Sequence, residues 1–168
     1  MLRMTDLFWI PRSGSGRLGI MPRPRGNDWL QEEVASLSKE GVDVWISALT
    51  LAEREELGLE HQSDFCKQSN IDFRSFPIFD RSLPAEQKFS QLVDDIRSLL
   101  EAGQSVVVHC RLGIGRAGMI TTGVLIAEGE TAQSAIRKVS KARRLTIPDT
   151  DEQREFLFKF EKRRRSGL

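Results

Sequence analysis

Ser105-Val-Val-Val-His-Cys-Arg-Leu-Gly-Ile-Gly-Arg-Ala-Gly118 is the stretch that decides the fold of this chain, because it passes from strand to loop to helix. Its β-branched residues predict a buried strand over Ser105–His109. Two glycines then permit a tight turn, and Arg116 stands where a helix can begin. Open α/β sheets bind ligands at the carboxyl ends of their strands, so the stretch predicts a functional loop that starts at Cys110.

Segments of strand and helix character alternate along the rest of the chain. Strands are predicted over residues 7–10, 17–21, 42–48, 71–78 and 105–109, the first two as a hairpin or as successive edge strands. Helices are predicted over residues 27–39, 50–58, 60–70, 84–102, 117–128, 131–141 and 150–163. This order predicts an α/β fold with a central, mostly parallel sheet and helices on both faces. A length of 168 residues suits one domain, so we expect residues 1–168 to form a single domain.

Composition and charge argue against several classes of function. The 25 Lys and Arg residues balance 24 Asp and Glu residues, so no excess of charge favours nucleic acid. Two cysteines are too few for a disulfide framework and suit a reducing compartment, and no His, Cys or Asp grouping has metal-ligand spacing. The apolar run 7–10 is too short for a signal peptide or a membrane span. We therefore expect a cytoplasmic protein with neither a nucleic-acid nor a membrane partner.

The loop after Cys110 has the composition of an anion cradle. Gly113 and Gly115 let main-chain N–H groups point inward, and the helix that follows adds the positive end of its dipole. Arg116 can complete the cradle with a planar guanidinium that matches two phosphate oxygens. The same positive surroundings favour the thiolate form of Cys110, so a nucleophile and a phosphate site coincide.

Two other interpretations of this loop compete with the phosphate cradle. A lone cysteine at a strand end is ordinarily an inert buried thiol, and Arg116 would then cap a helix or form a surface ion pair. The adjacent histidine and glycines argue against that. The letters Gly113-Ile-Gly-Arg-Ala-Gly118 also fit the G-x-G-x-x-G of a dinucleotide fold. That fold needs a further strand ending in an acidic residue about twenty positions on, whereas residues 117–144 continue as helix, turn and helix.

The pattern His109-Cys110-x-x-Gly113-x-Gly115-Arg116 resembles the His-Cys-x5-Arg signature of the protein tyrosine phosphatase superfamily. The compact dual-specificity branch, which includes the kinase-associated-phosphatase-like group, is the most similar. The resemblance implies a three-layer fold, a nucleophile at Cys110 and a histidine, His109, that positions and polarises the thiolate. It also implies a phosphate loop whose main-chain donors bind the phosphate together with the side chain of Arg116. That loop consists of Arg111, Leu112, Gly113, Ile114, Gly115 and Arg116.

Cleavage of a phosphate ester also needs an acid, and Asp80 is the candidate. It follows Phe76-Pro-Ile-Phe79 at the end of a predicted strand, thirty residues before Cys110. In both respects it resembles the general-acid aspartate of the superfamily. The alternative role for Asp80 is that of a turn or helix-capping aspartate, and Asp72 and Asp149 are the fallback acids.

Two positions bear on the second chemical step, in which water hydrolyses the phosphoenzyme. The segment 147–156 resembles the stretch that brings a polar side chain near the site in related small phosphatases, so Gln153 is expected to place the water. The alternative is an exposed residue in the first turn of a helix. Ala117 departs from the signature, which usually has Ser or Thr there to help the sulfur leave. We therefore expect a competent enzyme with slow breakdown of the phosphoenzyme.

The residues together predict a metal-independent phosphate monoester hydrolase of tyrosine or dual specificity. It would work without a cofactor through a cysteinyl-phosphate, with Asp80 as acid and then as base. The chain has no tyrosine to grip a substrate ring, so we expect a shallow site that accepts more than phosphotyrosine in phosphorylated proteins or small esters. A phosphoinositide or small-molecule phosphatase is the first alternative, for which Arg23, Arg25, Arg81 and Arg111 would add positive potential. A phosphate-binding module with little turnover is the alternative from another class.

Cys66, the second cysteine, also has two possible roles. By the resemblance, it could form a protective disulfide with Cys110 on oxidation. Its place in a predicted helix favours an ordinary buried thiol.

Overall fold

A five-stranded sheet forms the centre of the computed structural model, which describes residues 4–167. Its strands are β1 (Phe8–Ile10), β2 (Arg17–Met21), β3 (Val44–Ser47), β4 (Asp72–Ser75) and β5 (Ser105–His109). Their order in the sheet is β1-β2-β5-β3-β4, and only β1, a hairpin partner of β2, runs antiparallel within the described residues. The prediction of a mostly parallel sheet is therefore confirmed, and β5 lies at its centre.

Helices cover both faces of this sheet, as predicted. They are α1 (Leu30–Lys39), α2 (Leu51–Glu56), α3 (Gln62–Gln68), α4 (Glu86–Glu101), α5 (Arg116–Ala127), α6 (Ala132–Arg143) and α7 (Asp151–Arg165). Val106 and Val108 of β5 pack on one face, in a core with α4, α5, α6 and α7. Val107 points to the other face and joins a second core with α1 and α3. This alternation is the period-two pattern of a strand that is buried on both sides.

The observed strands are shorter than the predicted ones. β3 and β4 occupy four residues each, against predictions over 42–48 and 71–78. The apolar chain beyond them stays hydrogen-bonded without forming a ladder, since Phe76 N donates to Ser47 O and Ile78 N to Ala48 O. Helix α4 begins at Glu86, two residues after the proline that was expected in its first turn. Residues 1–3 and 168 of the predicted single domain lie outside the described residues.

The carboxyl ends of the central strands meet at one edge of the sheet. Met21 of β2 and Ser47 of β3 are both in register with His109, the last residue of β5. The loop that follows β5 therefore lies between the loops that follow its two neighbours. Helix α5, which that loop enters, is buried on all sides because it packs against α4, α6 and α7.

No helix within residues 4–167 has the length and apolar character needed to cross a membrane.

Candidate active site

Gly113 shapes the loop between β5 and α5. It has a φ of +68°, in the left-handed region, and an added Cβ would lie 2.6 Å from the carbonyl carbon and oxygen of Met21. Neither the backbone conformation nor the neighbouring strand leaves room for a side chain. The loop is thus held tightly against the end of β2, as an anion cradle made of main-chain N–H groups requires.

A small pocket of about 90 Å³ opens over this loop. It brings together the predicted nucleophile, the predicted acid, the signature arginine and the glutamine expected to place water. Its lining consists of Asp80, Arg81, Cys110, Arg111, Leu112, Ile114, Gly115, Arg116, Asp149 and Gln153. Within residues 4–167, no group of three or more His, Cys, Asp or Glu side chains is arranged to hold a metal ion.

Arg116 is buried in the pocket and held by several hydrogen bonds. It is 2% exposed, and its two terminal nitrogens lie 2.6 and 2.9 Å from the two carboxylate oxygens of Glu53. Its Nη1 also donates to the carbonyl oxygen of Ile78 at 2.8 Å. Such a two-point ion pair fixes the plane of the guanidinium as well as its position. Glu53 also closes the capping box of α2 with Thr50, so one carboxylate both caps that helix and orients Arg116.

The charge of Glu53 is well stabilised at this site. Burial raises the pKa of its carboxyl, but hydrogen bonds from Arg116 and from the backbone of Thr50, with the positive charge of Arg116, lower it to about 2. Glu53 is therefore a carboxylate at every pH at which the protein is expected to work. The negative charge of Glu53 therefore holds the guanidinium of Arg116 in place at the pocket.

Asp80 lies in the loop that joins β4 to α4. One of its carboxylate oxygens is 3.2 Å from Nη2 of Arg116, and its side chain is 60% exposed. The fallback acid Asp149 also lines the pocket but forms an ion pair with Arg81 at 3.0 Å. The other fallback, Asp72, begins β4 at the opposite end of the sheet and pairs with Arg74. The structure thus brings Asp80 and Asp149 to the loop and leaves Asp72 away from it.

Cys110 is nearly buried at the floor of the pocket. Its Sγ is 3.5 Å from the backbone nitrogen of Ala117, so a main-chain N–H at the start of α5 faces the sulfur. The hydroxyl of Thr121, one turn on, donates to the carbonyl oxygen of Ala117 and does not supply the missing contact to sulfur.

Cys66 is a free thiol in the core on the other face of the sheet, where burial raises its pKa to about 12. This placement favours the ordinary buried thiol.

His109 lies behind Cys110 and is fully buried. Its Nδ1 is 3.1 Å from the carbonyl oxygen of Cys110, and its Nε2 is 2.9 Å from Nε2 of Gln62. Burial is the main reason that its pKa falls to about 4; the Cys110 carbonyl opposes this, and the charges of Arg54 and Arg116 add to it. His109 is therefore neutral near pH 7. Sequence patterns gave no signal for Gln62, because its partner is distant in the chain.

Gln153 occupies the wall of the pocket and is fully buried, which excludes the alternative of an exposed residue in the first turn of a helix. Its Oε1 accepts hydrogen bonds from the backbone nitrogens of Asp149 and Thr150, at 3.1 and 3.2 Å. These bonds belong to the capping box that starts α7. Its Nε2 has no hydrogen-bond partner among the described residues. The amide is thus anchored by its oxygen, while its N–H group is buried and unpaired in a residue that lines the pocket.

Arg143, at the end of α6, supports the outer side of the loop. Its Nε donates to the carbonyl oxygen of Gly113 at 3.1 Å, and its Nη2 donates to that of Leu112 at 3.0 Å. Its guanidinium also stacks on the ring of Phe8 in β1. When the N–H groups of a loop point inward, its carbonyls point outward and need donors of their own. The sequence offered no sign of this role, since Arg143 is one of many basic residues on the last helices.

Three of the four arginines considered for a polyanionic ligand are paired with carboxylates. Arg81 pairs with Asp149, and Arg25 pairs with the buried Glu33 at 2.8 Å. Arg111 pairs with Glu56 at 3.1 Å. These three arginines therefore have carboxylate partners of their own, which leaves them less available to a ligand with several negative charges.

Comparison with known proteins places this site in a family. The family model described as "Polymorphic toxin system, DSP-PTPase phosphatase" matches residues 18–130. Protein 197R of Invertebrate iridescent virus 6, named provisionally as a tyrosine phosphatase, is 27% identical over 94% of this chain and 57% of its own length. Effector protein hopD2 of Pseudomonas syringae pv. tomato is 29% identical over 53% of this chain and 20% of its own length. The chain thus spans little more than half of the first relative and a fifth of the second.

Solved structures share the whole fold. A kinase associated phosphatase (KAP), whose catalytic-site cysteine is replaced by serine, superposes with a TM-score of 0.90 at 17% identity and full coverage of both chains. PTPMT1 in complex with PI(5)P has a TM-score of 0.74 at 20% identity, over 89% of this chain and 93% of that one. The resemblance inferred from the signature is confirmed. Because the family model covers more than half of its length, including the loop of Cys110 and Arg116, this chain belongs to the DSP-PTPase phosphatase family.

Proposed function

We propose that this chain is a cysteine-dependent phosphate monoester hydrolase that acts on phosphorylated proteins. The observation that carries the proposal is the buried Arg116, fixed by Glu53, in the same small pocket as Cys110. The pocket lies at the N-terminus of α5, where helix N–H groups favour an anion. A thiol and a preformed phosphate site in one cavity suit nucleophilic attack on phosphorus.

In the first step, the thiolate of Cys110 attacks phosphorus, an S–P bond forms and the ester P–O bond breaks. Main-chain N–H groups of residues 111–116 and the guanidinium of Arg116 bind the three non-bridging oxygens. Asp80 gives its proton to the leaving oxygen. Its exposure on a loop at the mouth of the pocket supports this role, because an acid there can meet the leaving group of a bound ester.

In the second step, water attacks phosphorus, the S–P bond breaks and inorganic phosphate leaves. Asp80, now a carboxylate, takes a proton from the water, and the sulfur departs as thiolate. The free Nε2 of Gln153 on the pocket wall supports a role in placing this water. The backbone N–H of Ala117 is the group that faces the departing sulfur. Both steps use only protein groups and water, so we propose that neither a metal ion nor a cofactor takes part.

The substrate class follows from the surroundings of the pocket. Leu112 and Ile114 line the pocket, Leu112 with 59% exposure, and the nearby arginines are paired with carboxylates. This mixture favours one phosphoryl group on a side chain of a protein over a headgroup with several phosphates. A phosphoinositide is the second candidate, because PTPMT1, which shares the fold, was solved with PI(5)P. A thiol nucleophile needs a reducing compartment, which supports a cytoplasmic location.

The test is hydrolysis of an aryl phosphate by the purified chain in the presence of a chelator. The wild-type chain should turn over, and Cys110→Ser should lose activity by roughly a thousandfold or more while still binding tungstate. Cys66→Ser is the matched control and should retain activity. Tungstate binding without turnover at any mildly acidic to neutral pH would identify a phosphate-binding module instead. A panel of phosphopeptides and phosphoinositide vesicles would then distinguish the two substrate classes.

A further inference from the structure

Gln62, at the start of α3, is a buried amide that neither the signature nor the proposed chemistry explains. It is fully buried, and its Oε1 has no hydrogen-bond partner among the described residues. Leaving a buried acceptor unpaired destabilises a fold, and an apolar side chain of similar length would avoid that cost. The polar contact that the amide does make, 2.9 Å from Nε2 of His109, is therefore the informative one.

This contact selects the tautomer of His109. The amide Nε2 is a donor, so Nε2 of the imidazole must accept and the single ring proton must lie on Nδ1. Nδ1 is 3.1 Å from the carbonyl oxygen of Cys110, and Nδ1–H can donate to it. If the Gln62 amide were reversed, its oxygen would face Nε2 of His109, which would then have to carry the ring proton. The unprotonated Nδ1 would then face the carbonyl oxygen of Cys110, which is also an acceptor. Only one arrangement of the pair gives two good hydrogen bonds.

The doubly protonated imidazolium does not compete with this tautomer. The charged groups that face the ring are Arg54 from α2 and Arg116 from α5, both cations that disfavour a further positive charge. Trp45 of β3 packs against the ring with its centroid 5.2 Å away and adds no charge. The ring is thus held neutral by its surroundings, and Gln62 decides which nitrogen carries the proton.

The orientation of His109 reaches the phosphate loop through a peptide plane. In a trans peptide the N–H points opposite to the C=O of the preceding residue, and the bond from Cys110 to Arg111 is trans. A hydrogen bond that fixes the carbonyl of Cys110 therefore also fixes the direction of the Arg111 N–H, on the side away from His109. That N–H is the first main-chain donor of the phosphate loop.

We propose that Gln62 is a positioning residue of the phosphate site: it holds His109 as the neutral Nδ1–H tautomer, which orients the Cys110–Arg111 peptide for oxyanion binding. The anion-binding part of this inference rests on the proposed function. The assignment of the His109 tautomer does not rest on the proposed function, so the tautomer and the anion-binding role can be disproved separately. Gln62 touches no substrate and acts only through His109.

Nitrogen NMR of the imidazole side chains tests the tautomer directly, because the chain has two histidines and His61→Gln assigns the signals. His109 should show a protonated Nδ1 and a bare Nε2, unchanged from about pH 5 to 8. In Gln62→Met, which removes the donor and keeps the bulk, the ring should exchange between tautomers. In Gln62→Glu, the carboxylate should accept a hydrogen bond from Nε2–H, so the ring proton should move from Nδ1 to Nε2. Gln68→Met, on the exposed side of α3, is the matched control and should leave the signals unchanged.

Tungstate binding tests the consequence for the loop. Gln62→Met should bind tungstate about tenfold more weakly, because a misoriented Arg111 N–H costs the anion about one hydrogen bond. Gln68→Met should bind tungstate like the wild-type chain. A wild-type His109 with its proton on Nε2 would overturn the proposal, whether or not any variant folds. An Nδ1–H signal and tungstate affinity that both survive in Gln62→Met would also overturn it. Absence of aryl phosphate hydrolysis in the wild-type chain would count against the proposed enzyme and leave the tautomer result standing.

Discussion

At the scale of single residues, Glu53 shows how one side chain serves two structures. It closes the capping box of α2 with Thr50, and it holds both terminal nitrogens of Arg116. A glutamine in its place would keep the cap, since its amide oxygen can still accept from the backbone of Thr50. It would lose the charge that opposes Arg116. The two roles can therefore be separated by a single substitution.

Glu53→Gln should reduce stability and phosphate affinity together. Breaking a buried ion pair costs about 3 kcal/mol, and the pKa of Glu53, about 2 against an ordinary 4.5, sets its pH dependence. The charged form stabilises the folded chain fully above pH 4.5, and this contribution is lost as pH falls toward 2. Urea unfolding at a series of pH values should therefore show the two chains converging in acid.

Glu55→Gln, on the same helix and exposed, is the control and should unfold like the wild-type chain. A stability difference between wild type and Glu53→Gln that stays constant from neutral pH into acid would contradict the linkage to the Glu53 carboxylate.

Ala117→Ser tests the departure from the signature. A hydroxyl at this position would add a donor beside the backbone N–H that already faces Cys110 Sγ at 3.5 Å. It should stabilise the leaving thiolate and raise the steady-state rate by roughly tenfold if breakdown of the phosphoenzyme limits turnover. Rapid-quench kinetics should show a burst in the wild-type chain and a smaller burst in the variant. Equal rates and no burst in either chain would show that another step is limiting.

At the scale of elements, two capping boxes bring polar side chains to one edge of the sheet. Glu53 and Gln153 occupy the same position in the first turn of α2 and α7, and each accepts from the backbone before its helix. Both helices start at the carboxyl edge of the sheet, so the same side chains that cap them also border the pocket. Helix starts and site residues are therefore not independent features of this fold.

The loop between β4 and α4 carries the acid, and Asp80→Asn tests it against Asp149→Asn. Loss of the acid should slow esters with poor leaving groups by roughly a hundredfold and those with good leaving groups much less. Asp149→Asn removes the partner of Arg81. It should change the rates for good and for poor leaving groups by similar small factors. Rates for a series of aryl phosphates measure the difference. The reverse pattern would assign the acid to Asp149.

At the scale of the whole molecule, Phe89 of α4 joins three helices on one face of the sheet. Its ring meets Phe156 and Phe160 of α7 edge to face, with centroids 5.0 and 5.1 Å away. An added Cβ on Gly123 of α5 would lie 2.6 Å from its ring, so α4 and α5 approach closely there. These contacts lie in the core and away from the pocket.

Phe89→Ala should therefore lower the free energy of unfolding by about 3–5 kcal/mol and leave the kinetics of the folded fraction nearly unchanged. Phe158→Ala removes a ring that is 38% exposed on the same helix as Phe156 and should cost much less. Urea unfolding measures the change in the free energy of unfolding. An activity assay without urea measures the kinetics of the folded protein. Equal destabilisation by the two substitutions would show that the Phe89 cluster does not hold this face together.

Much of the fold was predictable because its signals are local. The strand β5 and the helices α2 and α4 depend on residues within one element, and each observed end lies within two residues of the predicted one. The ends of β3 and β4 were not predictable in this way. Their apolar residues continue past the ladder into loops whose hydrogen bonds depend on neighbouring strands.

The amino-acid sequence by itself determined the order of strands and helices and the chemical character of the loop from Cys110 to Arg116, because spacing along the chain carries both. Only the tertiary structure decided which partners hold that loop. Glu53, Gln62 and Arg143 reach it from elements that are distant in sequence. Their roles come from side chains that converge at one edge of the sheet, and no local pattern records such convergence.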